Sequence, residues 1–155
     1  MLGDGSLWAS GSNYSGQMGD GTTTDLSTFK KIDDGPVTNI ESYGSTTYFI
    51  KQDQTLWGMG SNINGVPSTA TKVPTQIVNP NTPQTGYTGL AVGSNHAVFS
   101  KSDGKLYGLG DSTLGQLGFD ENKPSPILMA KQNRPFPAEL PVTTPGIPVA
   151  GGNHT

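Results

Sequence analysis

At 155 residues the chain has single-domain length and can bury a core. Only 14% of residues are charged, the net charge is −3, and the nine Lys and Arg form no basic stripe, so no nucleic-acid partner is expected. Cysteine is absent, which removes disulfides, thiolate catalysis and Cys-ligated zinc, and no apolar run approaches the roughly 18 residues of a membrane helix.

From the N-terminus, "MLGDGSLW" has neither the basic nor the apolar region of a signal peptide, so any export signal would lie outside this chain. Asp4-Gly5 is a tight-hairpin signal, of the kind in which both central residues take positive φ, and it leads into a short strand carrying Trp8 and ending at Gly11. "VTNIESYG" and "TTYFIK" predict strands over 37–43 and 46–51, and "TLWGMG" a third over 55–59, closed by Gly60. The same order returns as strands over 88–93, 96–101 and 105–109, with Asp103-Gly104 at the second hairpin and Gly110 closing the last strand. Residues 120–148 hold seven prolines and are expected to form an irregular loop inserted between strands, because proline is excluded from central ladders. No window has a 3.6-residue apolar face, so almost no helix is expected.

The chain repeats itself. "DGSLWASGSNYSGQMGDG" from Asp4, "DQTLWGMGSNINGVPST" from Asp53 and "DGKLYGLGDSTLGQLGFD" from Asp103 start at steps of 49 and 50 residues. A second element contains Gly44, Gly93 and Gly151, at steps of 49 and 58, and places Thr47, His96 and His154 in corresponding positions. The units fall near 1–36, 37–86 and 87–146, with a further one starting at 147–155 in a single array over 1–155. A unit of about 50 residues with short strands cannot bury its own faces, but a row of them can. Glycine closes the Trp/Tyr strand where a neighbouring backbone would crowd a larger residue.

The order Gly-x-x-His, Asp-Gly-x-Leu-Trp/Tyr, Gly, then Gly-Gln-Leu-Gly resembles the repeat of the regulator of chromosome condensation family. The third unit carries it on Gly93, His96, Asp103, Gly104, Leu106, Tyr107, Gly110, Gly115, Gln116, Leu117 and Gly118. The first carries Asp4, Gly5, Leu7, Trp8, Gly11, Gly16, Gln17, Met18 and Gly19. The middle unit keeps Gly44, Leu56, Trp57 and Gly60 but has Val66-Pro67 in place of Gln-Met or Gln-Leu, and Gly151 and His154 begin a fourth. The resemblance implies an all-β chain: a partial β-propeller of about three four-stranded blades, part of a larger or oligomeric ring. Trp8, Trp57 and Tyr107 would then lie between adjacent blades, largely buried. The family includes an exchange factor for a nuclear GTPase and a secreted inhibitor of β-lactamases.

The chemistry-bearing residues follow the repeat. His96 and His154 recur in register, as expected of structural hydrogen bonding between strands. Asp4, Asp53 and Asp103 recur at turns, where aspartate bonds its own backbone, whereas paired catalytic carboxylates would break the symmetry. "GMGSNING" lacks the spacing and the Lys-Ser/Thr of a phosphate loop, and "GDGTTTD" lacks that of a calcium loop. Asn13-Tyr14-Ser15 matches a glycosylation triplet. No nucleophile has a base, so neither enzymatic activity nor a cofactor or metal is expected. Two turn positions change chemistry from unit to unit, Tyr14, Ile63, Thr113 and Ser15, Asn64, Leu114, which makes them candidate contact residues. The expected function is a binding or assembly module for a protein or surface partner, for further copies of itself, or for the remainder of a longer propeller. The alternative is a structural component of a larger particle: a phage virion or tail protein, or an adhesin. An inhibitor-like or exchange-factor-like propeller ranks third. Low charge with abundant Ser, Thr, Asn and Gly leans toward an extracellular or particle surface.

Overall fold

The computed structural model describes residues 3–61, 63, 70–78, 83–111, 116 and 117, and the backbone of 134–139. Among the described residues ten strands are formed and no helix. They are β1 (Leu7–Gly11), β2 (Leu26–Asp33), β3 (Val37–Tyr43), β4 (Thr46–Lys51), β5 (Leu56–Ser61), β6 (Ala70–Gln76), β7 (Tyr87–Val92), β8 (His96–Lys101), β9 (Leu106–Gly110) and β10 (Arg134–Glu139). The order β3-β4-β5-β6 makes one four-stranded antiparallel sheet and β7-β8-β9-β10 a second. In a third sheet β1 and β2 stand where β5 and β6 stand in the complete blade. The six strands read from the sequence fall within two residues of β3, β4, β5, β7, β8 and β9.

The fourth strand of each blade is the one the sequence hides. β10 contains Pro135 and Pro137 and lies within the proline-rich stretch expected to be irregular, while β6 contains Pro74. Both are the outermost strand of their sheet, paired on one side only, where a missing N–H costs no ladder bond. Their registers agree: Trp8 pairs with Lys31, Trp57 with Gln76 and Tyr107 with Glu139.

The Asp turns are longer than a two-residue hairpin. The Gly104 amide donates to the Lys101 carbonyl (3.0 Å) and the Lys101 amide to the Lys105 carbonyl (3.0 Å), so three residues form the loop. Only the residue after the aspartate has positive φ: Gly5 at 80°, Gly104 at 81° and Gln54 at 63°. This is the type I turn with a left-handed residue and bulge, which explains why Gln54 can replace glycine in the middle unit. Each aspartate accepts a bond from the amide two residues on: Ser6 to Asp4 (2.9 Å), Thr55 to Asp53 (3.1 Å) and Lys105 to Asp103 (2.9 Å). The Ser6 and Thr55 hydroxyls donate to the same carboxylates and accept from the indoles of Trp8 (2.8 Å) and Trp57 (2.7 Å). In the third unit the Tyr107 hydroxyl reaches Asp103 itself (3.3 Å). The repeated Asp therefore sets the turn and orients the ring.

The β3–β4 connection is one residue shorter than the β7–β8 connection. Thr46 lies opposite Gly60 as His96 lies opposite Gly110, so Thr46, not Thr47, stands in the histidine position. The Thr46 hydroxyl donates to the Ser61 carbonyl, and Thr47 reaches back to the Gln17 carbonyl of the preceding unit (3.2 Å). The missing residue is absorbed by Gly44 at φ 56° in the tight β3–β4 turn, so the faces of β4 are not inverted.

Alternation along the strands gives each blade two apolar faces. Val37, Phe49 and Met59 meet Leu7 and Ile32 of the first blade, with Trp57 at the margin. Tyr48, Ile50 and Leu56, on the opposite face, meet Tyr87, Phe99, Tyr107 and Leu109 of the next blade. Tyr107 is buried at this junction, but Trp57 and Trp8 are only half-buried, short of the burial the repeat suggests. Trp57 lies flat on Phe49, 6.4 Å between centroids, while the Lys51 ammonium caps its ring at 4.2 Å. Lys101 likewise sits over Tyr87 (4.4 Å) and Tyr107 (4.9 Å).

Burial pushes the Tyr48 phenol far up, and burial with the neighbouring Tyr107 raises Tyr87 to about 12. A raised tyrosine pKa means that the fold favours the neutral phenol. Stability is therefore intact below the unfolded pKa of about 10 and is lost as pH rises from there through the raised folded values. In an alkaline titration, two of the five tyrosines should ionise only as the sheets come apart. Complete phenolate absorbance with unchanged far-UV circular dichroism would contradict this.

Candidate functional site

The loop joining β1 to β2, residues 12–25, has an exposed tip. Its centre is Asn13, which is fully buried. The Asn13 side-chain amide donates to Asp20 Oδ1 (3.0 Å) and the Thr24 carbonyl (3.1 Å), and its Oδ1 accepts from the Met18 amide (3.0 Å). The Asn13 backbone amide donates to Asp25 (2.7 Å), and its carbonyl accepts from Gly16 (2.9 Å). Asp20 also accepts from the Lys30 ammonium (2.9 Å) and the Thr22 hydroxyl (2.8 Å). The bond from Lys30, then that from Thr22, holds the Asp20 carboxyl well below the usual carboxylate range. The acids of "GDGTTTD" are thus spent on Asn13 and Lys30, and the loop is braced from within.

Its outer side rests on the next blade. The Gly21 amide donates to the Lys72 carbonyl (2.7 Å). Gly16, at φ 77°, lies so close to Lys72 that a Cβ would strike its backbone. Gln17 is buried and its side-chain oxygen accepts from the Ser15 amide (2.9 Å). What this scaffold presents to solvent is Tyr14, 67% exposed, beside half-buried Ser15. Because Asn13 is enclosed, a glycan on the Asn13-Tyr14-Ser15 triplet is incompatible with the folded loop. Asn13→Ala should cost about 1–3 kcal/mol, since it strands the Met18 amide and the Thr24 carbonyl and takes one donor from Asp20, which keeps Lys30 and Thr22. Limited proteolysis should then cut within 12–25 first; an uncut loop at unchanged stability would contradict the assignment.

The candidate contact positions do not share one fate. Ile63 is fully buried in the junction between the second and third blades, and its carbonyl accepts from the Tyr48 hydroxyl (3.0 Å). It is a core residue and not a contact residue, because an aliphatic side chain at this turn position points inward. Asn64, Thr113 and Leu114 lie outside the described residues, as do Gly118, Gly151 and His154. His96 is buried beside a small, water-sized gap lined by Thr46, Tyr48, Val92 and Gly110. Gln116 and Leu117 are buried, and Leu117 packs with Val98 and Leu106. Asn13 and Lys30, which hold the loop, carried no signal of their own beyond an Asn followed by two aspartates.

Successive four-stranded blades with braced loops define a segment of a β-propeller. Residues 87–116 match the regulator of chromosome condensation (RCC1) repeat. The fold is similar to that of human WBSCR16, at a TM-score of 0.70 and 19% identity over 91% of this chain and 34% of that one. It is also similar to Prp20p of Saccharomyces cerevisiae, a protein with binding properties toward Gsp1p and histones: TM-score 0.71, 19% identity, 92% of this chain and 36% of that one. Yeast RCC1 (Prp20) bound to Kap60 matches at a TM-score of 0.66 and 21% identity, over 96% and 36% of the two chains. An uncharacterized protein of Acanthamoeba polyphaga mimivirus is 28% identical over 129 residues, 78% of this chain and 13% of its own length. The chain thus spans about an eighth of that relative and about a third of each solved propeller.

Proposed function

We propose that this chain is a non-enzymatic protein-binding module whose contact surface is the loop 12–25, with Tyr14 as its anchor. The observation that carries the reading is an aromatic ring 67% exposed on a loop whose backbone is fixed by a buried asparagine. A rigid, exposed tyrosine loses little entropy on binding and supplies a large amphipathic contact, which is why such residues dominate interface energetics. The fold-level likeness to propellers that bind Gsp1p, histones and Kap60 supports a protein as partner. The test is a crosslink. A photoreactive residue at position 14 should capture a discrete partner in the native cell, while one at Tyr43, also exposed, should not. Tyr14→Ala should lower co-purification of that partner at least about tenfold. Equal recovery with wild type and variant would overturn the reading.

A further inference from the structure

The turn that carries Tyr14 is backed by a lysine of the next unit. The Gly16 amide donates to the Asn13 carbonyl (2.9 Å), which closes a turn with Tyr14 and Ser15 at its tip. Gly16 lies against Lys72 of β6, so close that an added Cβ would stand 2.9 Å from the Lys72 Cα and 3.0 Å from its Cγ. Further along the loop, the Gly21 amide donates to the Lys72 carbonyl (2.7 Å). The backbone of Lys72 and the root of its stem are thus fixed, while the residue stays exposed and keeps its ammonium in water. Two residues of chain span at most about 7 Å, so phenol and ammonium rise from neighbouring points of one surface. Lys30, Lys31 and Lys51 are each paired with an aspartate, but Lys72 makes no ion pair among the described residues. The acids of the loop leave it uncompensated, because Asp20 is bound to Lys30 and Asp25 accepts from the Asn13 amide (2.7 Å).

We infer that the protein bound through Tyr14 presents an acidic segment, with a carboxylate paired to Lys72 and an apolar side chain against the phenol. This rests on the reading of Tyr14 as anchor and adds to it the chemistry of the partner. Charge complementarity carries the choice: the one cation beside the anchor has no counter-charge of its own. An ordinary exposed lysine contributes little to an ion pair, because its long stem must be ordered. Here part of that ordering is done in advance by Gly16 and Gly21, so more of the attraction remains for binding. Tyr14 and Lys72 belong to successive units, so the surface exists only where the first and second blades are packed together.

The test selects a random library of short displayed peptides on the 155-residue chain and keeps those that fail to bind Tyr14→Ala. The retained peptides should be enriched in Asp and Glu and should bind more weakly as salt is raised. Lys72→Glu should weaken them at least about tenfold and Lys72→Arg by no more than about twofold, since arginine restores the charge. Both variants should keep the circular dichroism of the wild type, because the residue is exposed. Tyr14-dependent peptides that lack acidic residues, or that bind Lys72→Glu as they bind wild type, overturn this inference and leave Tyr14 as the anchor. A library that yields no Tyr14-dependent peptide overturns both.

Discussion

Replacing Phe99 by alanine should cost about 3–5 kcal/mol, enough to separate the unfolding of the third blade from that of the second. Phe99 is fully buried and meets Tyr48 and Tyr87 edge to face, with ring centroids 5.7 Å and 6.0 Å apart. One tyrosine comes from each of the two blades it joins, so the cavity would open at their only shared aromatic cluster among the described residues. Trp57→Ala should cost less, below about 3 kcal/mol, although it removes a larger ring. Part of that ring is already in solvent, and what is lost is its stacking on Phe49, the Lys51 cap, the bond to Thr55 and a marginal contact with the first junction. Denaturant midpoints of the two variants decide the matter. A Trp57→Ala loss exceeding that of Phe99→Ala would show that the junction is organised around the indole.

The same contrast shows what the sequence could reveal. Spacing carried the strands, because Asp4, Asp53 and Asp103 recur at turns whose geometry only a few residues satisfy. Turn lengths were less legible. The two-residue hairpin expected at Asp-Gly is a three-residue turn with a bulge, since one positive φ at the second position suffices and Gln54 supplies it. Proline misled at β10, because exclusion from the ladder applies to central strands and this one is an edge. The connection before Thr46 is short by one residue, and glycine spacing alone cannot reveal which side of the gap a residue falls on. At the candidate site, position in the repeat located both Tyr14 and Ile63 but could not tell outward from inward. Side-chain chemistry was the better guide, as the aliphatic residue is buried and the phenol exposed.

The glycines that end β1 and β5 separate two physical effects that most glycine substitutions confound. Gly11 and Gly60 hold the same repeat position with positive φ, 115° and 94°. An alanine at either must adopt a backbone conformation disfavoured by about 1–2 kcal/mol. At Gly60 the added Cβ would also overlap the Ser45 carbonyl oxygen, which accepts the Ser61 amide at 2.9 Å and cannot retreat without losing it. At Gly11 nothing lies within 4 Å. Gly60→Ala should therefore cost about 3–5 kcal/mol, strain plus overpacking, and Gly11→Ala only the strain. In denaturant unfolding the two losses should differ by at least about 1 kcal/mol. If they are equal, close approach of the neighbouring backbone is not what the repeat glycine serves, and left-handed backbone geometry alone accounts for it.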